Sequence, residues 1–115
     1  MRQFDVTYTE RAELDMRGIY EYIAFTLLAP ANAENQLNRI MKAIAGLNQM
    51  PERFYRYEKE PWHSRGLRIM PVNKYLVFYI SSEQHSKPKG MVSVIRIIYG
   101  GRDVAEELMQ TDAIK

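Results

Sequence analysis

Gly66-Leu67-Arg68-Ile69-Met70-Pro71-Val72-Asn73-Lys74-Tyr75-Leu76-Val77-Phe78-Tyr79-Ile80 holds two short apolar runs joined by Asn73-Lys74, a connection of the length that closes a β-hairpin. A third run, Met91 to Tyr99, is the most β-branched of the chain and is expected to pair centrally in the same sheet. It ends in Arg96-Ile97-Ile98-Tyr99-Gly100-Gly101-Arg102-Asp103. There Gly100-Gly101 turns the chain, and Asp103 followed three residues later by Glu106 makes a capping box for a short helix. The arginines and tyrosines at the strand ends gather positive charge and hydrogen-bonding groups, a surface suited to something anionic.

Working back toward the N-terminus, Phe4, Val6 and Tyr8 alternate with Asp5, Thr7 and Thr9, the period of a strand with one buried face. Thr9 then caps a helix whose apolar stripe is Ala12, Met16, Ile19, Tyr20, Ile23 and Leu27, running to about Leu28. Pro30 opens a second helix, whose stripe is Ala33, Leu37, Ile40, Met41, Ile44 and Leu47 and which ends near Asn48. Met16 and Met41 are both read as core. With so short a connection the two helices form an antiparallel hairpin. Pro51 to Arg65 shows no periodicity and reads as a polar, basic and aromatic loop. The expected fold is α+β, in the order β-α-α-β-β-β-α. It is an antiparallel-rich four-stranded sheet with the N-terminal α-helical hairpin packed on one face and a short C-terminal helix.

At 115 residues the chain is expected to be a single domain over 1–115 with one core. The absence of cysteine excludes disulfides, a thiol nucleophile and Cys-based zinc or iron–sulfur ligation. His63 and His85 have no metal spacing and read as solvated loop residues, so neither a metal nor a cofactor is expected. No apolar run is long enough to span a bilayer and no signal-peptide pattern opens the chain, so a cytoplasmic location without membrane contact is expected. The net charge of +2 conceals segregation. Residues 1–52 carry five Lys or Arg against seven Asp or Glu, residues 53–102 ten against three, and the last thirteen one against four. The basic middle region points to an acidic partner, nucleic acid or an acidic protein segment.

The element order, Ile19-Tyr20-Glu21-Tyr22-Ile23, Leu47-Asn48-Gln49-Met50-Pro51, Gly66-Leu67-Arg68, Asn73-Lys74-Tyr75-Leu76-Val77-Phe78-Tyr79 and Ile95 to Asp103 together resemble the RelE/ParE superfamily of type II toxin–antitoxin toxins over nearly the whole chain. The resemblance implies a growth-inhibiting toxin neutralised by a cognate antitoxin that drapes an acidic segment over it. It also implies one of two targets, since RelE-like members cleave mRNA on the ribosome and ParE-like members inhibit DNA gyrase. Leu76 stands where RelE-like nucleases place an arginine, and the tail Met109-Gln110-Thr111-Asp112-Ala113-Ile114-Lys115 lacks their terminal tyrosine or His-Tyr pair. Tyr99 stands where many ParE-like sequences have histidine. These positions favour the ParE-like, gyrase-inhibiting branch. The alternatives are a ribosome-dependent mRNA endonuclease and a non-toxic binding protein retaining the fold.

Metal-free RNA cleavage needs a base, an acid and cations for the charge on phosphorus. In that reading Arg68, Arg96 and Tyr99 are the catalytic candidates, with Glu58, His63 and Tyr79 behind them. Arg96 shares a strand face with Val92, Val94 and Ile98 by alternation. An arginine there needs a partner, either an internal acid such as Glu106 or Asp103, or a phosphate. Tyr75 and Tyr79 share a face with Val77 and either stack on bases or pack on the helical hairpin. In the binding reading Arg68, Arg102, Lys74 and Trp62 are the expected partner contacts, with Trp62 alternatively covering an edge of the core. The polar side of the helical hairpin, including Arg39 and Lys42, is a further contact surface.

Overall fold

The computed structural model describes residues 3–83 and 86–111; His85 and the last four residues of the tail lie outside them. The chain runs β1 (Phe4–Tyr8), α1 (Glu10–Glu21), a π-helical turn (Tyr22–Thr26), α2 (Pro30–Ala45), β2 (Tyr55–Arg56), β3 (Arg68–Val72), β4 (Tyr75–Ser82), β5 (Gly90–Tyr99) and α3 (Val104–Met109). The fold is α+β as expected, but the sheet has five strands, in the order β1-β5-β4-β3-β2. The added strand is β2, two exposed residues pairing antiparallel with β3 inside the stretch read as loop. Two residues are too few to show a period. The sheet is also mixed, because β1 pairs parallel with β5, Phe4 opposite Gly90 through Tyr8 opposite Val94. That pairing demands close approach: a Cβ on Gly90 would lie 2.4 Å from the Phe4 ring.

Thr9 caps α1 by accepting from the Ala12 N–H at 3.1 Å, and Asp103 caps α3 by accepting from the Glu106 N–H at 3.2 Å. The helical hairpin lies on one face of the sheet, where Ala12, Met16, Ile40, Ile44 and Leu47 bury Val77, Tyr79, Val92, Val94 and Ile97. The other face is covered by the segment after β2 and by α3, with Trp62, Leu67 and Leu108 on Phe78, Ile95 and Ile98. Leu76 and Ile80 join this second cluster, so Leu76 is part of the packing.

Two helical expectations change. The α1 stripe does not continue to Leu27: the Leu27 N–H bonds the Tyr22 carbonyl at 3.0 Å, a π-type turn, and Leu28 takes φ 54. The extra residue rotates the following side chains. Ala24 therefore turns inward, while Phe25, Leu27 and Leu28 are exposed. Met41, at the edge of the α2 stripe, is exposed rather than core.

The third change concerns Arg96. The pairing of β4 with β5 slips from Phe78 opposite Arg96 to Tyr79 opposite Val94, leaving Ile95 as a bulge. The bulge inverts the alternation, so Val92, Val94 and Ile97 face the helical hairpin, and Arg96 leaves the side of Val92 and Val94. Its partners are neither Glu106 nor Asp103. Nε and Nη2 bind the two Asp15 oxygens at 2.8 and 3.2 Å, Nη2 also binds Glu107 Oε1 at 3.1 Å, and Nη1 donates to the Glu107 carbonyl and the Thr111 hydroxyl. Burial by itself lowers the guanidinium pKa, and the Asp15 and Glu107 carboxylates outweigh it, so the net shift is upward. Asp15 does a second task. β1 ends opposite Val94, and beyond it Asp15 Oδ2 accepts from the Ile97 N–H at 2.9 Å while the Thr9 hydroxyl donates to the Ile95 carbonyl. Side chains around the start of α1 thus satisfy the edge of β5 that β1 leaves open.

Tyr79 is fully buried, and its hydroxyl donates to the Pro51 carbonyl at 2.5 Å. Burial is the main cause that pushes its pKa up from 10.0 to about 12, Arg68 and Arg53 opposing it and Glu52 adding to it.

Two outcomes follow for stability. Asp15→Ala leaves a buried guanidinium short of its main counter-charge and should cost about 3–5 kcal/mol in urea unfolding, against near-neutral effects for exposed acids such as Glu13. The folded Tyr79 pKa lies above the unfolded value, so its contribution is whole below pH 10.0 and is lost as pH rises through about 12. Unfolding midpoints measured across that range should fall steeply in the parent. Tyr79→Phe, roughly 1 kcal/mol less stable at neutral pH, should show a shallower fall.

Candidate functional site

A groove of about 950 Å³ opens between the helical hairpin and the end of the sheet where β3 turns into β4 and β5 into α3. Two turns form its floor and mouth. The Asn73-Lys74 turn, with Asn73 at φ 58, and the Gly100-Gly101-Arg102 turn are joined by the Gly100 N–H donating to the Lys74 carbonyl at 2.8 Å. The Lys74 and Arg102 side chains therefore leave from adjoining backbone. Tyr75 and Tyr99 are register partners whose rings meet edge to face at 5.8 Å, and Tyr99 keeps 44% of its surface exposed. Gly101 makes this possible, since a Cβ there would come 2.5 Å from the Tyr99 ring. Burial first, then the neighbouring Tyr99 and Tyr22, raise the Tyr75 pKa, and Arg102 pulls it back, which places all four in one electrostatic neighbourhood.

The opposite wall is α2. Gln36 Oε1 accepts from Asn73 Nδ2 at 3.2 Å, tying the turn to the helix, and Arg39 lies three residues on, along the same helix face. Gln36 Nε2 is buried and has no hydrogen-bond partner. Asp15 and Glu107 also line the groove, but both are bound to Arg96. Among the described residues, no carboxylate pairs with Arg39, Lys74 or Arg102. The groove therefore presents three cations with no carboxylate partner among the described residues and a half-exposed tyrosine against the apolar flank of Ile19, Ile23 and Leu27.

The candidates read from the sequence divide accordingly. Lys74, Tyr99 and Arg102 meet in the groove, and Arg96 lies at its inner wall with every nitrogen engaged by the protein. Arg68 is elsewhere. It sits at the other end of the β3–β4 ladder, opposite Tyr79, roughly 13 Å from the Val72–Tyr75 pair at four strand residues' rise. Its Nη1 donates to the carbonyls of Glu52 and Phe54 at 3.1 and 2.8 Å, pinning the segment that also receives the Tyr79 hydroxyl. Arg68 and Arg96 therefore do not converge. Tyr79 is sealed in the core. His63 lies in a turn with Nδ1 at 2.8 Å from the Tyr57 carbonyl, and Glu58 is exposed in the same segment, away from the groove. Trp62 is 5% exposed in the second cluster with the Arg65 guanidinium 5.2 Å from its ring centroid, so it covers the core rather than offering a contact.

Arg39, read from the sequence as a contact on the polar side of the helical hairpin, lines the groove, and Gln36 completes the site with no mark in the sequence pattern to select it from the other polar residues of α2. Among the described residues, no group of three or more His, Cys, Asp or Glu is placed to hold a metal ion, and no helix is long and apolar enough to cross a membrane.

The family model described as ParE toxin of type II toxin-antitoxin system, parDE, matches residues 6–104. No curated protein matches the chain. Among solved structures, one described as a chromosomal ParDE TA system from P. aeruginosa superposes with a TM-score of 0.67 at 17% identity, covering 84% of this chain and 96% of that one. At that identity the likeness is one of fold.

Proposed function

With the chain thus a member of the ParE toxin family of type II toxin–antitoxin systems, we propose that it arrests growth by binding DNA gyrase, and that a cognate antitoxin neutralises it by covering its basic surface. What supports binding over RNA cleavage is the use to which the sheet arginines are put. A cleaving site needs unengaged cations around one phosphorus and a base within reach of the 2′-hydroxyl. Arg96 is 3% exposed and bonded to Asp15, Glu107 and Thr111, Arg68 holds two carbonyls at the far end of β3, and Tyr79 is buried. Among the described residues, the carboxylates that share the groove with the remaining cations, Asp15 and Glu107, are both bound to Arg96 and are not free to act as a base. The groove between the helical hairpin and the sheet end is instead built as a recognition surface. It offers Arg39, Lys74 and Arg102 for acidic or anionic groups and an apolar flank continuous with the exposed Tyr22, Leu27 and Leu28.

The test sets the purified toxin against ATP-dependent supercoiling by gyrase and maps mRNA 5′ ends within minutes of inducing it in cells. Loss of supercoiling with unaltered transcript ends is expected. Intact supercoiling at a large molar excess of toxin, together with new ends inside translated codons, would replace gyrase with the ribosome as the target.

A further inference from the structure

We infer that the groove between α2 and the sheet end binds a short stretch of single-stranded nucleic acid, successive phosphates on Arg39, Lys74 and Arg102 and a base on the exposed ring of Tyr99. This goes beyond inhibition by protein contact and rests on reading the groove as the toxin's working surface.

The cations carry the first part. Three separate elements supply them: Arg39 from α2, Lys74 from the β3–β4 turn and Arg102 from the turn after β5. The Gly100-to-Lys74 hydrogen bond and the Gln36–Asn73 bond hold those elements together, so the residues that bear the charges surround one groove before any ligand arrives. Three like charges with no carboxylate partner among the described residues are stabilised by a ligand carrying several negative charges at close intervals, as a phosphodiester backbone does. The aromatic and amide groups carry the second part. Tyr99, edge to face with Tyr75 and lying against Gly101, is fixed in place with 44% of its surface open at the mouth, the arrangement of a stacking platform. Gln36 also lines the groove, and its amide oxygen holds Asn73 in place beside Lys74. At about 950 Å³ the open groove has room for a nucleotide with its flanking phosphates. An acidic peptide would satisfy the cations but has no use for the platform, which is why nucleic acid is the ligand argued here.

Fluorescence anisotropy of labelled oligothymidylate titrated with the full chain over a salt series tests the inference. Contacts to three phosphates predict a slope of log affinity against log salt of about −2. Arg39→Gln, Lys74→Gln and Arg102→Gln, all at exposed positions, should each weaken binding roughly tenfold and flatten the slope by about 0.7. Lys59→Gln, an exposed cation outside the groove, should change neither. Tyr99→Ala should lower affinity for the strand by about tenfold while leaving an abasic strand of the same length unaffected. Thymidine triphosphate binding as tightly as the strand would assign the same site to a free nucleotide, whereas a tighter strand assigns it to nucleic acid. Absence of strand binding, loss in Lys59→Gln but not in the groove variants, or polyglutamate competing equally with no response to Tyr99→Ala would overturn the inference. Supercoiling inhibition measured on the same proteins separates the two readings. Strand binding without gyrase inhibition removes only the gyrase target, and gyrase inhibition by a parent protein that does not bind the strand removes only the nucleic-acid site.

Discussion

The structure hangs on one buried guanidinium. Arg96 sits on β5, an interior strand, just past the point where β1 ends, and its side chain is shared between Asp15 of α1 and Glu107 and Thr111 at α3. Asp15 also accepts the Ile97 N–H that β1 no longer reaches. A single carboxylate thus continues the sheet edge, neutralises the arginine and sets where α1 crosses β5. Such a buried pair adds little over an apolar substitute, yet removing one partner is costly because the other remains charged and out of water. α1 carries the π-turn and α2 behind it, so this lock also determines how far the helical hairpin stands from the sheet end. The groove exists at that separation.

Much of this fold is legible locally. The alternation of Tyr75, Val77 and Tyr79 against Leu76, Phe78 and Ile80 sorts correctly onto the two faces, and the Asp103 and Thr9 caps stand where their residue types place them. What escapes is whatever depends on partners far along the chain or on one inserted residue. Ile95 has no local mark of a bulge, yet it reverses the face of everything after it, and Asp15, 81 residues from Arg96, gives no sign in sequence of being its partner. The π-turn at Tyr22–Thr26 likewise moves Leu27 from the stripe to the surface. β2 is too short for any period, and the parallel pairing of β1 with β5 joins the two ends of the chain.

The candidate site follows the same division. Lys74, Tyr99 and Arg102 are legible because turn chemistry at Asn73-Lys74 and Gly100-Gly101 brings them to one end of the sheet. Arg39 is legible as a polar residue of the helical hairpin, but its place beside Lys74 and Arg102, and Gln36 with it, enter only once α2 is packed. Arg68 stands in the sequence as both a catalytic and a partner-binding candidate, but its side chain is spent on backbone carbonyls, partners that sequence does not display. The result is a toxin fold whose sheet arginines hold it together while a separate trio of cations faces outward.

That separation is the central claim, and growth arrest tests it most directly. Arg68→Gln and the Lys74→Gln, Arg102→Gln double variant would be induced side by side at matched soluble levels, with circular dichroism on each protein to confirm folding. The account predicts that Arg68→Gln still arrests growth and that the folded double variant does not. Arrest by the double variant, with loss of arrest in a folded Arg68→Gln, would contradict it and return the activity to the sheet arginines.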